Sequence, residues 1–267
     1  MYDHTIDDFS IFVKSRLTLR SGYDEPVPVA SARAYDPEAR GLRAERILDV
    51  AAELLRRWGY KRLTMDDVAA EAGIGKGTIY LHWNTREALF QAVLNREIIT
   101  LLGDLTEAVQ QDPRNALPQR LGAIYFDAIM QRPLVRAVFQ MDRDMLGNLL
   151  QHERQRESHL EELRVDFMQF LQQVGLLRAD LSAVELAYAF RTLLLGFFLA
   201  DPFLTEDQPN LERKVELLGV LLQGALGVEA DPSDEVVAAV ADRVLALLNE
   251  AKASGARLLA QLARTRS

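Results

Sequence analysis

Cysteine is absent from this 267-residue chain. Its absence removes disulfide frameworks, thiolate zinc sites and cysteine nucleophiles, and agrees with a reducing cytoplasm. Histidine is scarce: there are four, and His152 and His159 stand on one expected helix, roughly 10 Å apart along its axis at 1.5 Å per residue. One ion cannot be gripped by both, so the pair reads as a solvated helix face and no metal site is expected. Long apolar runs are missing as well. Thr192 to Ala200 and Leu217 to Val228 are the longest uncharged apolar stretches, well short of the ~20 residues that span a bilayer. They are expected to be core helices, with no membrane partner. Asp3, Asp7 and Asp8 stand where a secretory signal would carry positive charge, so no export is expected and the location is read as cytoplasmic. No G-x-S-x-G elbow and no intact phosphate loop are present, so no catalytic residue and no cofactor is assigned.

Positive charge is also in deficit. The formal net charge of −8 argues at first against a nucleic-acid partner, which would be gripped by Lys and Arg. The distribution reverses that reading. Residues 40–96 carry ten basic and seven acidic side chains, a local charge of +3, which leaves −11 for the rest. An acidic body with one basic end suits an oriented contact with a polyanion.

Within that basic segment, "EAGIGKGTIY" packs Gly73, Gly75, Lys76, Gly77 and Thr78 closely, a composition that suggests a phosphate cradle. A P-loop requires G-x-x-x-x-G-K-[ST], but Gly77 follows Lys76 and the first glycine falls on Ala70. A dinucleotide fingerprint fails because its third glycine falls on Thr78. Both motifs also need a strand upstream, whereas Met65, Val68, Ala69 and Ala72 follow helical spacing.

The helices around the glycines give them another use. Ile47, Val50, Ala51, Leu54, Leu55 and Trp58 make a helical stripe stopped by Gly59. Thr64 and Asp67 form a capping box that opens a second helix at about Met65. Gly73-Ile74-Gly75 is a tight corner whose glycines can take conformations that other residues avoid, with Ile74 free to turn inward. A third helix is expected from about Lys76 to His82, with Ile79 and Trp83 facing inward. A fourth follows Asn84 or Thr85, with Glu87 as a further capping signal. Short helices joined by such a corner make a helix-turn-helix.

The stretch "ILDVAAELLRRWGYKRLTMDDVAAEAGIGKGTIYLHWNTREALFQAVL" resembles the DNA-binding segment of the TetR family of bacterial transcriptional regulators. The order of parts carries the likeness: an apolar helix, "WGY", a threonine opening the second helix, "VAAEAGIGKGTIY", an aromatic after the third helix, and "REALF". Gly75 stands where serine is common, Trp83 where phenylalanine is usual, and Leu81 where a polar or aromatic residue is common. Leu81 would offer an apolar contact to a thymine methyl. The resemblance implies that the third helix enters a DNA major groove N-terminus first, with Gly75 and Gly77 permitting close approach. Lys76 and Gly77 would lie nearest the bases, with Thr78 beside them. Tyr80 and His82, on the outward face, would touch phosphates, and Thr64 would bind one at a helix N-terminus. Arg43 and Arg86 complete the expected DNA-binding set.

The rest of the chain reads as helices, broken at Asp112-Pro113, Pro118, Arg132-Pro133, near Gly175, and from Asp201-Pro202 through Pro209. The resemblance implies an all-α protein: an extension over 1–39, a DNA-binding domain over 40–88, and a helical effector-binding and dimerisation domain over 89–230. Residues 231–267 form an additional helix or helix pair with a break expected at Ser254-Gly255. Large side chains that could line an effector pocket are Tyr125, Phe126, Phe139, Met145, Phe167, Phe170, Tyr188 and Phe197, although most such residues are simply core. Arg191 sits in the nearly uncharged "LAYAFRTLLLGFFLA", so it is either salt-bridged or an anchor for an anionic effector such as a carboxylate or acyl thioester. The helices at about 183–200 and 210–227 carry apolar residues over more than one stripe, so the excess must meet either a partner subunit or the 231–266 helix; the partner is favoured, which makes these two helices the candidate dimer interface. Residues and resemblance together describe a homodimeric repressor released from double-stranded operator DNA by an apolar small molecule. The alternatives are an architectural or division-linked DNA binder without an effector, and an enzyme. Ser10 to Arg20 in the extension partly alternates, which suits an edge strand or an arm that orders on a partner.

Overall fold

The computed structural model describes residues 37–140, 142, 163–204, 207–228 and 231–264. Among them the architecture is all-α. The first helix, α1 (Pro37–Arg62), begins inside the expected extension and carries a break at Gly59, whose φ of 70° and ψ of 169° only glycine adopts readily. The expected stop is therefore a kink. Ile47, Ala51, Leu54 and Leu55 are buried as the stripe predicts, but Trp58 is 41% exposed. The reversal at Gly59 explains this correction: it carries Tyr60 inward instead, edge-on to Phe90 with ring centroids 5.6 Å apart.

Three further helices complete the N-terminal end: α2 (Met65–Ala72), α3 (Lys76–Tyr80) and α4 (Arg86–Gln111). Ile47, Leu55, Val68, Ile79, Trp83, Leu89 and Phe90 form one buried core between them. Full burial of each large apolar side chain is worth about 1.5–3 kcal/mol before entropy is counted, so this cluster is what holds so short a helix as α3 in place.

The breaks expected at the prolines are present, and Pro113, Pro118, Pro133 and Pro202 each stand at the start of a helix or turn. Asp112 caps a 3-10 turn at Pro113–Ala116, α5 (Pro118–Met130) and α6 (Pro133–Phe139) each carry proline in the first turn, and a second 3-10 turn follows at Asp201–Phe203. The helical residues 163–173 are α7, ended by Gly175 in the left-handed region. Then come α8 (Ala183–Leu199), opened by a Ser182–Glu185 capping box, and α9 (Leu211–Leu226), capped by Asn210. Phe126, Ile129, Leu171, Leu186, Phe198, Leu218 and Leu222 belong to a second core.

The boundary expected at 88/89 falls inside α4, a continuous helix whose Leu89 to Leu94 belong to the first core and whose Leu101, Leu105 and Val109 belong to the second. The short α6 is divided likewise: Leu134 and Ala137 face the first core, Val135 and Phe139 the second. The two cores thus share helices.

The C-terminal segment differs from expectation. It is one helix, α10 (Asp234–Arg264), running through Ser254 and Gly255 without a break. Glycine inside a helix costs about 1 kcal/mol relative to alanine, and packing overrides that here, because Gly255 lies against Ile99 and Asn95 of α4. Among the described residues no helix is long and apolar enough to cross a membrane.

The kink at Gly59 yields the first prediction. Gly59→Ala forces a β-carbon into a conformation that costs roughly 1–3 kcal/mol, so urea denaturation should show a loss of that order with the slope unchanged.

Candidate nucleic-acid interface

The exposed end of the first core is built from α2, α3 and the N-terminal half of α1. Thr64 opens α2 with the expected capping box: its Oγ1 accepts from the Asp67 N–H at 3.3 Å, and its own N–H donates to Asp67 Oδ2 at 2.9 Å. The Thr64 hydroxyl also donates to Asp67 Oδ2 at 2.6 Å, and these bonds hold the Asp67 carboxyl below its usual range. Gly73 ends α2 with φ of 66°, and its N–H donates to Ala70 O at 3.1 Å. Ile74 turns back onto the first core, as expected.

Of the corner glycines only Gly73 needs a special backbone. Gly75 has φ of −70°, which any residue can adopt, and a β-carbon on Gly77 would meet nothing within 4 Å. Neither the turn nor the packing requires glycine there. Both residues are exposed beside Lys76, whose Nζ lies 2.8 Å from Asp66 Oδ2, a hydrogen bond that raises the lysine's pKa. Arg43, Thr64 and Leu81 are also exposed, while Thr78 and Tyr80 are half-buried, with Tyr80 packed against the first core.

Two of the expected contacts point elsewhere. α3 ends at Tyr80 rather than His82, so His82 falls in a turn, its N–H donating to Ile79 O at 2.8 Å, and no longer follows the helical period. Its side chain is 5% exposed, with the ring 5.4 Å from that of Trp83, which corrects its assignment to the outward face. Burial, followed by the positive charges of Arg40 and Arg43, lowers its pKa. Arg86 folds back as well: its guanidinium stands 4.0 Å from the Tyr60 ring centroid, and its Nε and Nη2 are buried with no hydrogen bond among the described residues. Glu87, read as a capping signal, instead accepts from the Tyr60 hydroxyl at 2.8 Å, and Thr85 caps α4. Burial and that bond push the Tyr60 pKa up to about 12.

Sequence reasoning missed Arg40, whose Nη2 donates to Leu81 O at 3.1 Å. α3 has no side-chain cap at its start, and this long-range bond ties down the carbonyl just past its end. The spacing of Arg40, Arg43 and Arg46 on one helix face was the available signal, hidden by starting the first helix too late.

Comparison with known proteins tests the likeness. A model of the family described as bacterial regulatory proteins, tetR family, matches residues 47–93. The HTH-type transcriptional repressor KstR2 of Rhodococcus jostii is 30% identical over 166 residues, which cover 59% of this chain and 78% of that protein. This chain belongs to the TetR family. It is a transcriptional regulator with a DNA-binding helix-turn-helix. Two solved structures share the fold of this TetR-family chain. FadR, the fatty acid degradation regulator of Bacillus halodurans, matches at TM-score 0.54 and 17% identity over 68% of this chain and 95% of its own. NalD, the secondary repressor of the MexAB-OprM efflux pump in Pseudomonas aeruginosa, matches at 0.52 and 19% over 71% and 100%.

In the body of this TetR-family chain the pocket candidates separate. Tyr125 and Phe139 meet edge-on at 6.0 Å, beside Phe126, Phe197 and Phe198, while Phe167 and Phe170 stack at 6.3 Å. Met145 lies outside the described residues. Tyr188 is 70% exposed on the outer side of α8, which removes it from any interior pocket of the single chain. Arg191, on the same helix, is half-buried. Val184 and Tyr188 of α8 and Val220 and Leu221 of α9 are large and exposed, an apolar surface on the two helices expected to dimerise.

The buried His82 yields a prediction for stability against pH. A histidine whose folded pKa lies below its unfolded value near 6.5 contributes stability above that value and loses it as pH falls, because the unfolded chain binds the proton more readily. Melting temperatures from pH 7.5 to 5 should fall more steeply for the wild type than for His82→Gln; parallel curves would contradict the assignment.

Proposed function

We propose that the protein is a homodimeric repressor that reads its operator with α3 and releases it when an apolar small molecule binds in the helical body. The carrying observation is the Gly75-Lys76-Gly77 edge. Glycine there serves neither turn nor packing, and the open space over Gly77 suits the close approach of another backbone. Lys76 and Leu81 then lie nearest the base edges, with Arg43, Thr64, Thr78 and Tyr80 on the phosphates. His82 and Arg86 act from behind this surface: one is packed on Trp83, the other on Tyr60. Arg40 holds the far end of α3.

The ion pair with Asp66 gives Lys76 a resting partner, so DNA must exchange one carboxylate for an acceptor on the bases or backbone. That exchange favours sequences offering a well-placed acceptor such as guanine O6 or N7. The repressor role of the KstR2 relative supports the repressor reading. The aromatic cluster around Phe126 supports an apolar effector, with an anionic group if Arg191 anchors it. An effector acts only through its different affinity for the DNA-bound and free forms, so DNA must weaken effector binding by the same factor.

Two measurements test this reading. In fluorescence titrations against a duplex selected from a random pool, Tyr80→Phe should weaken binding to every sequence, and Lys76→Ala should also lower discrimination and reduce the salt slope by about one. Wild-type affinity in both variants would refute the α3 assignment. In sedimentation, Leu221→Glu should leave a folded monomer with operator affinity greatly reduced, since one recognition helix reads only one half-site. A dimer that survives charges along both α8 and α9 would move the interface elsewhere.

A further inference from the structure

The C-terminal helix α10 touches both cores. Val237, Val240, Ala241 and Val244 belong to the second, whereas Leu259 and Leu262 pack against the first, the one that carries α2 and α3. Its 31 residues span ~46 Å at 1.5 Å per residue, enough to brace the body against the DNA-binding end. At the start of α10, Arg114 pairs with Asp231 at 3.0 Å and Asp234 at 3.5 Å, tying it to the body.

A buried polar contact lies where α10 crosses α4. Asn95 follows the first-core residues of α4, and Ile98, one turn further on than Leu94, packs against both cores. Asn95 is 2% exposed, and its Nδ2 donates to the carbonyl of Gly255 at 2.7 Å. Its Oδ1 is buried with no hydrogen bond among the described residues. Gly255 allows the approach: a β-carbon there would stand 2.8 Å from Ile99 Cγ1 and 3.4 Å from Asn95 Oδ1. As a source of stability this arrangement is poor, since a half-satisfied buried amide gives less than an apolar side chain of similar size. It does define register. An apolar side chain can settle against several positions of a facing helix, but an amide satisfied by one backbone carbonyl selects one, as a single buried asparagine does between paired helices.

We infer that Asn95 and Gly255 form a positioning contact that fixes α10 axially on α4, and so sets where the DNA-binding end is held and how far apart the two recognition helices stand in the dimer. This rests on the dimeric, DNA-binding reading above. A slip of one helical turn is about 5.4 Å, more than one base-pair step of about 3.4 Å, so even part of a turn matters to half-site spacing. Neither residue faces the DNA-binding surface, so both act through α4 and through the Leu259 and Leu262 contacts with the first core.

The test uses the full chain and the duplex that the wild type selects from a random pool, remade with the half-sites one and two base pairs closer or further apart. The expected result is that Asn95→Leu stays folded and dimeric, melts at or above the wild-type temperature, and loses about tenfold of its preference for the selected spacing, the size of a typical coupling between distant sites. Gly255→Ala, which pushes α10 away from Ile99, should shift or flatten the same preference, and it carries the test should Asn95→Leu fail to fold. The inference is overturned if folded variants keep the wild-type affinity ratios across the spacer series. It is equally overturned if they lose affinity by one common factor on all spacers and on a lone half-site, in step with a lower melting temperature, because that describes a stability effect alone. A wild type that selects no duplex overturns the DNA-binding reading itself, and the two failures are thereby told apart.

Discussion

One helix has to serve two cores, and the rest of the molecule follows from that constraint. α4 buries Leu89 to Leu94 under the helix-turn-helix and Leu101 to Val109 in the body without interruption. Neither end can rotate about the helix axis without pulling its own side chains out of a close-packed interior, and such interiors yield in discrete steps rather than continuously. α6 repeats the arrangement over seven residues, with alternate faces in the two cores. A ligand that repacked the body would therefore act on the DNA-binding end through side chains already shared, and α10 adds a third element that touches both.

The edge around α3 shows how little regular structure is required when its foundations are deep. α3 is five residues long, too short to be stable alone. Ile79 and Trp83 anchor it from beneath, the Thr64 cap and the Gly73 turn fix the path leading in, and Arg40 holds the carbonyl at its exit. With support supplied from below and behind, the outer side can carry small residues that the fold itself does not need.

What was legible in the sequence was mostly local. The Thr64 capping box, the breaks at the prolines before α5 and α6 and the Ile47 to Leu55 stripe depend on residues within four positions of their neighbours, so spacing reveals them. The family likeness was legible for the same reason, since it lies in one continuous stretch. The errors came where partners are distant. Trp58 fits the stripe, but the kink at Gly59 delivers Tyr60 in its place. The helical spacing that places His82 outward ends with α3 at Tyr80, and Arg86, expected to reach DNA, stacks on Tyr60 instead. Gly255 reads as a break until its neighbour is known, and that neighbour, Asn95, lies 160 residues earlier. Pocket residues were the least legible, because a side chain lining a cavity and one filling a core share the same composition; Tyr188 proved to face outward altogether.

In the proposed function, the exposed edge running from Thr64 through Gly75 to Leu81 meets DNA, backed by a frame of α4 and α10 that does not rearrange to reach it. Amide hydrogen exchange of the full chain, with and without a saturating duplex selected by the wild type, tests this most directly. The account predicts slowed exchange at the start of α2 and from Gly75 to Leu81, with the buried stretch of α4 from Leu89 to Leu105 unchanged. Slowing confined to α8 and α9, with the 64–81 edge exchanging as in the free protein, would contradict it.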